Sequence, residues 1–287
     1  MEYLERRRAR IEDRLEAVLD AVEPAALAEQ VRHVSLSGGK RVRPTVTVLA
    51  CEAAGGDPGL ESDTAGTAVD FAVGIELVHN ASLVVDDIID RSALRRGATA
   101  AHVEYGHGPA IVASDGLLGE AFALFSTDEE AMQAVAEAMV ELGEGEATEL
   151  VDRPTNEAEY VELARRKTGA LFRAAAELGA IAADADPYTV ESFGRYAEQV
   201  GIAFQIRDDV LDATADAADL GKPTGQDAEM ERPSLVRITD LTPEEANERA
   251  QDRSADALRA LDAVDASDSR AMDYLRDLAE FVVVRER

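Results

Sequence analysis

Aspartates recur at helical spacing at the end of one apolar stretch of the chain. Asp86 and Asp90 stand four residues apart, with Asp87 beside them. On a helix, residues i and i+4 share a face, so these carboxylates would repel each other unless a cation lay between them. Oxygen ligands in this number suit Mg²⁺, which keeps part of its water shell and takes further ligands from phosphate. The spacing therefore predicts a Mg²⁺ site that receives a phosphate ester.

A second aspartate motif repeats this spacing much later in the chain. Asp208, Asp209 and Asp212 again stand at the end of an apolar helical stretch. Two such helices facing each other would line one pocket with six carboxylates. The alternative is that both motifs are solvated faces of an acidic chain, but the apolar context of each motif favours the pocket.

Basic residues cluster in the segment 37–44, which reads Ser-Gly-Gly-Lys-Arg-Val-Arg-Pro. Two glycines allow the backbone to approach an anion, and the helix start that follows offers free N–H groups. Lys40, Arg41 and Arg43 add positive charge, and the arginine fork suits phosphate oxygens. A simple turn between helices is the alternative. Three basic residues in four positions of a chain with net charge −29 favour an anion site.

Two arginines and a histidine flank the first aspartate motif. Arg95 and Arg96 are predicted to lie in a loop just past it, where they would meet a phosphate held by the same metal or form ordinary surface salt bridges. His79 stands seven residues before Asp86, two turns away on the same helix face. It is either a ligand contact or a buried, hydrogen-bonded histidine, and the sequence leaves both possibilities open.

The composition is strongly acidic, with a net charge of −29 that is spread along the chain. This charge makes nucleic acid and anionic membranes poor partners, and 46% hydrophobic residues argue against disorder. The near absence of lysine beside many arginines indicates surface adaptation to high salt. The three lysines, Lys40, Lys167 and Lys222, lie in glycine-containing stretches or beside possible phosphate sites. A need for a compact ammonium would explain their retention, and chance is the alternative.

The single cysteine, Cys51, excludes an internal disulfide and a cysteine-based metal site. This fits a reducing compartment, and we expect a cytoplasmic protein. The N-terminus reads as a charged amphipathic helix and not as a signal peptide. No apolar run approaches the roughly 20 residues that cross a bilayer, so we expect no membrane span.

Helical periodicity runs through nearly the whole chain, and strand signals are missing. The nine prolines fall where a helix would start or a loop would run. Helices are predicted near residues 2–21, 24–36, 42–55, 63–91, 110–125, 128–150, 156–183, 187–215, 233–239, 243–262 and 267–284. No linker separates two halves, so residues 1–287 are expected to form one all-α domain with long central helices.

Five motifs occur in one order that resembles a known family. They are Gly-Gly-Lys-Arg-Val-Arg-Pro, Asp86–Asp90 with Arg95-Arg96-Gly97, Lys167-Thr168-Gly169, Phe204-Gln205 with Asp208–Asp212, and Gly221-Lys222 with Gly225 and Asp227. Together they closely resemble the trans-prenyltransferases, the isoprenyl diphosphate synthases, over roughly residues 30 to 240. Each motif alone is weak, whereas the ordered set is highly specific.

The resemblance implies a single large bundle of antiparallel helices around a deep central cavity, usually in a homodimer. It implies prenyl chain elongation, in which an allylic diphosphate ionises and isopentenyl diphosphate adds to the resulting cation. About three Mg²⁺ ions would hold the allylic diphosphate between the two aspartate motifs. Diphosphate leaves only if its growing charge is neutralised, which fixed cations achieve without reorganisation.

The resemblance also assigns roles by motif match. Asp86, Asp90 and Asp208 would be direct metal ligands, with Asp87, Asp209 and Asp212 completing the catalytic clusters together with Lys167. Isopentenyl diphosphate would be bound by Lys40, Arg43, His79 and Arg96, with Arg41 beside them. The allylic substrate would contact Arg95, Lys167, Thr168, Gln205 and Lys222. The chain departs from the family pattern at Val85, Ser114 and Glu146, and at Arg232, which keeps the charge of a usual lysine and would also bind substrate.

Product length is expected to depend on residues below the metal site on the helix of Asp86. Each prenyl unit spans roughly one helical turn, about 5.4 Å. The candidate floors are Gly74, Val78, Ala81 and the neighbouring Ser82, all small. Short-chain members of the family often carry an aromatic residue at the position of Ala81. We therefore expect geranylgeranyl diphosphate, of twenty carbons, or else a longer product of twenty-five to forty. Alternatively, these residues only permit tight helix packing, and another helix forms the floor.

Three rival functions remain to be weighed. Terpene cyclases share the first motif, but their second motif mixes Asn, Ser or Thr with Glu. A di-iron carboxylate bundle needs two helical Glu-x-x-His motifs. Glu76 to His79 supplies one, whereas Glu104 to His107 contains Gly106 and is predicted as loop. A non-catalytic subunit of a hetero-oligomer is disfavoured by the complete aspartate motifs, and an assay of the protein alone would decide.

Overall fold

Helices provide nearly all of the regular structure in the computed structural model, which describes residues 2–60, 67–218, 233–264 and 269–284. The α-helices are α1 Glu2–Asp20, α2 Ala25–Leu36, α3 Val42–Ala53, α4 Ala68–Ile89, α5 Ala101–Glu104, α6 His107–Phe125, α7 Glu129–Ala147, α8 Glu157–Ala164, α9 Ala170–Ile181, α10 Pro187–Ala218, α11 Leu235–Ile238, α12 Pro243–Asp262 and α13 Arg270–Val284. Two π-helical turns, Thr148–Asp152 and Arg165–Gly169, continue α7 and join α8 to α9. The predicted all-α fold is confirmed.

A short hairpin lies in the stretch that the sequence predicts as loop. Strands β1 Leu94–Arg95 and β2 Ala98–Thr99 pair antiparallel, with Leu94 opposite Thr99. The two turn residues, Arg96 and Gly97, both have positive φ, at 53° and 81°. This is the turn that two-residue hairpins favour, formed here without the usual Asn-Gly or Asp-Gly pair. The prediction missed it because arginine rarely adopts this conformation.

Helix α4 is the central element of the described bundle. It packs against α1, α3, α6 and α9, and its side chains are buried on all sides from Ala68 to Val78. The Thr67 side chain accepts a hydrogen bond from the Asp70 backbone N–H, which fixes the start of the helix. The helix has no solvated face over these three turns, and side chains become exposed only in its last turns, at Val85 and Ile89.

Two described helices are long and apolar enough to pass as membrane spans, contrary to the expectation that no run comes near that length. They are α4, whose most apolar window is 78% buried inside the protein, and α6, whose window is 33% buried. The core position of α4 accounts for its composition. Helix α6 instead exposes apolar side chains.

Glycines bring together the helices that carry the predicted site residues. A Cβ atom on Gly201 of α10 would lie 2.9 Å from the Cα atom of Gly169, at the end of the second π turn. A Cβ atom on Gly179 of α9 would lie 2.1 Å from the carbonyl oxygen of Thr47 on α3. Close packing at these crossings places α10 beside the Arg165–Gly169 turn. One apolar core cluster runs from Ile11 in α1 to Val283 in α13, as a single domain would require, although the domain assignment stays a prediction.

Candidate active site

A cavity of about 570 Å³ opens where α4 and α10 end their apolar stretches, a size suited to a small-molecule substrate. Acidic and basic side chains line the same space. The acidic ones are Glu76, Asp86, Asp90, Glu146, Glu149, Asp208, Asp209 and Asp212, and the basic ones include Lys40, Arg41, Arg43, His79, Arg95, Arg96 and Lys167. Residues that are far apart in sequence and were singled out for phosphate or metal chemistry therefore meet at one place.

Four of the five aspartates on the cavity wall come in two matched pairs. Asp86 and Asp90 come from the end of α4, and Asp208 and Asp212 come from α10. Within the described residues, no group of three His, Cys, Asp or Glu side chains is arranged to hold a metal by itself. The donor set is nevertheless all hard oxygen, and Mg²⁺ commonly completes its shell with water and substrate phosphate. These residues fit Mg²⁺ shared with a bound phosphate ester.

The second aspartate of each motif is buried and bonded within the protein. Asp87 is 4% exposed, and its Oδ1 accepts hydrogen bonds from Arg95 Nε, at 2.8 Å, and Nη2. Asp209 is 9% exposed and accepts from Tyr160, Gln205 and the Leu235 backbone N–H. Burial raises the pKa of Asp209 to about 6, against the lowering effect of these bonds. For both Asp87 and Asp209 the geometry favours a structural role over the predicted role as a metal ligand. The metal-ligand role stays a prediction.

Two helical turns before Asp86 on α4, His79 forms a half-buried pair with Arg43 on the cavity wall. Arg43 Nη1 lies 3.2 Å from His79 Nε2, and the guanidinium carbon lies 4.6 Å above the Phe172 ring centroid. Burial lowers the pKa of Arg43 to about 10, so it stays charged. Burial and the nearby Arg43 also lower the pKa of His79 well below its usual value. A neutral imidazole beside a charged arginine leaves one strong cation in this pair.

Arg41 makes buried hydrogen bonds within the protein. It donates to Glu76 Oε1 at 2.6 Å and to the Ser35 carbonyl at 2.7 Å, and both charged side chains are nearly inaccessible. Removing either partner would leave a buried charge uncompensated. The geometry favours a structural role for Arg41 over the predicted contact with substrate.

Arg96 depends on the glycines of the basic segment. Its Nη1 donates to the Gly38 carbonyl at 2.7 Å, and a Cβ atom on Gly39 would lie 2.9 Å from the same nitrogen. Both glycines have positive φ, at 105° and 134°. The segment therefore needs glycine for its conformation and for the approach of Arg96. Lys40 follows on the exposed rim of the same cavity.

The second π turn presents Lys167 to a pair of glutamates. Lys167 Nζ lies 2.9 Å from Glu146 Oε1 and also donates to Glu149 Oε2. Burial alone would lower the pKa of Lys167, but Glu149 and Glu146 outweigh it and the pKa is raised. Burial raises the pKa of Glu146 to about 6, opposed by Lys167 and reinforced by Asp86. Glu146, one of the positions that depart from the family pattern, thus places an extra carboxylate near both Lys167 and Asp86.

Thr168, which follows this lysine in the chain, and Gln205 both line the cavity, and their predicted contact with substrate stays a prediction. The Thr168 hydroxyl donates to Gln205 Oε1 at 2.9 Å. Apolar side chains complete the wall, namely Leu83, Leu142, Leu163, Leu171, Phe172 and Phe204. Polar and apolar groups therefore share the cavity wall.

The predicted chain-length residues divide between the cavity and the helix packing. Ser82 lines the cavity. The Ala81 carbonyl accepts a hydrogen bond from Ser114 Oγ of α6 at 3.0 Å, and Val78 is fully buried. A Cβ atom on Gly74 would lie 2.5 Å from Cζ of Phe125, also on α6. The alternative of small residues that permit tight packing thus has direct support at Gly74, and the roles of all four stay predictions.

Sequence reasoning missed Tyr160 and Glu149, which both line the cavity. Glu149 stands three residues after Glu146, and Tyr160 stands seven before Lys167, so helical spacing was the available signal. The irregular π turns between these positions weaken that signal. The predicted substrate residues Lys222 and Arg232 lie outside the described residues.

Comparisons with known proteins agree with this geometry. Residues 24–269 match the family model described as polyprenyl synthetase. The chain is 35% identical over 262 residues to a short chain isoprenyl diphosphate synthase of Methanothermobacter thermautotrophicus, covering 88% of this chain and 78% of that protein. It is 34% identical over 291 residues to a geranylfarnesyl diphosphate synthase of Aeropyrum pernix, covering 93% and 87%. The crystal structure of a geranylgeranyl pyrophosphate synthetase from Pyrococcus horikoshii superposes with a TM-score of 0.86 at 33% identity, covering 99% and 98% of the two chains.

Proposed function

The chain belongs to the polyprenyl synthetase family, and from this premise we propose that it is a Mg²⁺-dependent prenyl elongation enzyme that joins isopentenyl diphosphate to an allylic diphosphate. One observation carries the proposal. Paired carboxylates on α4 and α10, a half-buried Arg43–His79 pair two helical turns from Asp86, and several apolar side chains all line one cavity. Two diphosphates and a hydrocarbon chain need these three environments.

The paired carboxylates are proposed as the site of the allylic diphosphate. Asp86, Asp90, Asp208 and Asp212 would hold Mg²⁺, which when bound supplies charge that neutralises the departing diphosphate. Lys167 adds a fixed cation on the same wall. Because Glu146 and Glu149 share that lysine in the free protein, we propose that substrate oxygens compete with them for it.

The basic residues are proposed as the site of isopentenyl diphosphate. Lys40, Arg43 and Arg96 would bind its phosphate oxygens, and the glycines before them leave the backbone open to an anion. His79 stays neutral beside Arg43, so it would accept a hydrogen bond and add no further charge. This arrangement gives the uncharged carbon end of the substrate a path toward the aspartates.

The apolar side chains of the cavity wall would protect the reacting carbon chain from water. Leu171, Phe172 and Phe204 exclude solvent, and the ring faces carry partial negative charge that suits a carbocation. The oxygens of Thr168 and Gln205 lie on the same wall and present the negative ends of their dipoles. These groups hold the cation until the second substrate reaches it.

We propose geranylgeranyl diphosphate as the main product, with a longer polyprenyl diphosphate as the alternative. Support comes from the small Ser82 on the cavity wall and from relatives whose names include both geranylgeranyl and geranylfarnesyl diphosphate synthases. Mass spectrometry of products made from labelled isopentenyl diphosphate and each allylic primer would assign the length.

A homodimer formed through α6 is proposed on the exposed apolar side chains of this region. Val103, Ile111 and Val112 are 52%, 50% and 54% exposed, and Phe122 lies further along the same helix as the last two. A patch of this kind on an otherwise charged surface marks an interaction face. The double change Ile111→Glu with Val112→Glu should convert a dimer to a monomer by light scattering. An unchanged mass would place the contact elsewhere. We also propose a cytoplasmic location, which suits the single buried Cys51.

The test of the activity uses the purified wild-type protein and two single substitutions. Wild type should elongate an allylic primer with Mg²⁺ and lose turnover in excess chelator. Asp86→Ala and Asp208→Ala should each lower kcat by roughly a thousandfold or more while their melting temperatures stay near that of wild type. The matched control, Asp13→Ala on the exposed face of α1, should keep full activity.

Near-normal turnover in either active-site variant, or turnover in chelator, would contradict the assignment. An inactive wild-type protein that gains activity only with a second polypeptide would favour the non-catalytic subunit.

A further inference from the structure

We infer that Asp209 is a positioning residue that fixes the orientation of the Gln205 side-chain amide, and that it is not a metal ligand. The inference rests on the proposed prenyl elongation, since Gln205 lines the cavity where that reaction would occur. It concerns one carboxylate of the second aspartate motif, which sequence alone groups with its metal-binding neighbours.

The Asp209 carboxylate joins three separate parts of the chain. Its Oδ2 accepts a hydrogen bond from the Tyr160 hydroxyl of α8 and another, at 3.1 Å, from the Leu235 backbone N–H at the start of α11. Its Oδ1 accepts from Gln205 Nε2, one turn earlier on α10, at 3.2 Å. Asp209 is 9% exposed, so these donors take the place of water. Three protein donors occupy three of the roughly four acceptor positions of an ionised carboxylate, and both positions on Oδ2 are taken.

The bond to Gln205 decides which end of the amide faces the cavity. An ionised carboxylate only accepts hydrogen bonds, so the amide must turn its NH₂ group toward Asp209. Its oxygen is then left for the Thr168 hydroxyl, which donates to it at 2.9 Å. Thr168, Gln205 and Asp209 form one directed chain of hydrogen bonds. The negative end of the amide dipole is thereby held at the wall that a cationic prenyl chain would contact.

The first motif shows the same division of labour. Asp86 faces the cavity, whereas Asp87 is buried and bound by Arg95. In both motifs the second aspartate is buried and makes hydrogen bonds within the protein, and Asp209 does so at the cavity wall. This repetition on two separate helices argues that the second position serves to hold neighbouring groups in place.

An Asp209→Asn substitution separates orientation from simple packing. The oxygen of the introduced amide would occupy the Oδ2 position, because Tyr160 and Leu235 both donate there. Its NH₂ group would then occupy the Oδ1 position and face the NH₂ group of Gln205. Two donors cannot bond to each other, so the Gln205 amide would rotate and present NH₂ to Thr168 and the cavity. Adding Gln205→Glu removes the conflict. The NH₂ group introduced by Asp209→Asn would then donate to the carboxylate introduced by Gln205→Glu, whose other oxygen accepts from Thr168. The net charge of the pair is unchanged.

The experiment compares wild type, Asp209→Asn, the double variant Asp209→Asn with Gln205→Glu, and Asp208→Asn as the ligand control. For each, calorimetry with Mn²⁺ and inorganic pyrophosphate measures metal binding without turnover, and steady-state assays give kcat and KM. We expect Asp209→Asn to keep its Mn²⁺ affinity within about threefold of wild type and to lose roughly tenfold to a hundredfold in kcat, with KM little changed. The double variant should recover at least about tenfold of that kcat.

Melting temperatures supply a readout that needs no activity. Asp209→Asn should lower the melting temperature by roughly 3–8 °C and the double variant should restore most of the loss. If Asp209→Asn weakens Mn²⁺ binding as strongly as Asp208→Asn does, Asp209 is a ligand and the inference is overturned. A double variant that stays as slow or as unstable as Asp209→Asn, or that does not fold, overturns it as well. An inactive wild type would refute the proposed function, while metal affinity and melting temperature would still test Asp209.

Discussion

Ser82 and Ala81 are neighbours on α4 with different surroundings. Ser82 lies on the cavity wall, whereas Ala81 is 1% exposed and its carbonyl is bonded to Ser114 of α6. If the prenyl chain grows along the cavity wall, as proposed, it contacts Ser82 and not Ala81. The choice between these two positions is therefore a question about individual side chains that helical spacing alone does not resolve.

We predict that Ser82→Phe shortens the product by at least one prenyl unit, because the ring would fill the space below the metal site. Ala81→Phe should change product length less and should cost about 1–3 kcal/mol of stability, because the ring must enter the α4–α6 contact. Product analysis by mass spectrometry together with thermal unfolding checks both changes. Shortening by Ala81→Phe and none by Ser82→Phe would show that the chain passes between α4 and α6.

The aspartates and basic residues were found from the sequence because their spacing and charge are unusual in an apolar setting. What each carboxylate bonds to was not predictable. Asp209 and Asp208 have the same chemistry and adjacent positions, and the sequence does not show that Tyr160 and Leu235 donate to Asp209. The ion pair between Arg41 and Glu76 could not be predicted either, because the two residues stand 35 positions apart in the sequence.

At the scale of elements, α3 and α9 cross with almost no space between them. Gly179 of α9 lies against the backbone of α3, and a Cβ atom there would lie 2.1 Å from the Thr47 carbonyl oxygen. Carbonyl oxygens of a helix cannot move aside as a side-chain end can. The crossing is therefore expected to tolerate only glycine. It positions α9 so that the Phe172 ring lies under the Arg43 guanidinium.

We predict that Gly179→Ala destabilises the protein by about 2–3 kcal/mol, because α3 and α9 must separate. The matched control is Gly143→Ala on the exposed face of α7, where a Cβ atom meets nothing within 4 Å. That change should stabilise by about 0.5–1 kcal/mol, since alanine favours helix over glycine. Denaturant unfolding measures both, and equal effects at the two sites would refute the close-crossing argument.

Helix boundaries followed well from proline positions and apolar periodicity, since both act through local geometry. Pro187 and Pro243 each begin the helix that they were expected to begin. The hairpin and the two π turns did not follow. Arg165–Gly169 continues a helix with a different hydrogen-bond register, and nothing in its composition distinguishes it from ordinary α-helix. Lys167 and Thr168 occupy that turn, so the least predictable local geometry lies at the proposed substrate site.

At the scale of the whole molecule, acidic side chains far outnumber the cations available to pair with them. The net charge is −29, and ion pairs such as Arg165 with Glu141 and Glu162 draw on a small supply of arginines. Exposed pairs contribute little each, so they do not offset the long-range repulsion. We propose that this surface is adapted to high salt, where ions screen the repulsion at short range.

The expected consequence is that stability rises with salt. The screening length falls from about 30 Å at 0.01 M to about 3 Å at 1 M, so repulsion across the surface is lost while buried pairs such as Arg41–Glu76 persist. We predict that the melting temperature increases by roughly 5–10 °C between low and molar KCl. A variant with Glu248, Asp252 and Glu280, all exposed, changed to their amides should start higher and rise less. A melting temperature that stays flat or falls with KCl would show that repulsion between surface carboxylates does not limit stability. A variant whose melting temperature rises with KCl as steeply as that of wild type would show the same, since screening acts only on charge.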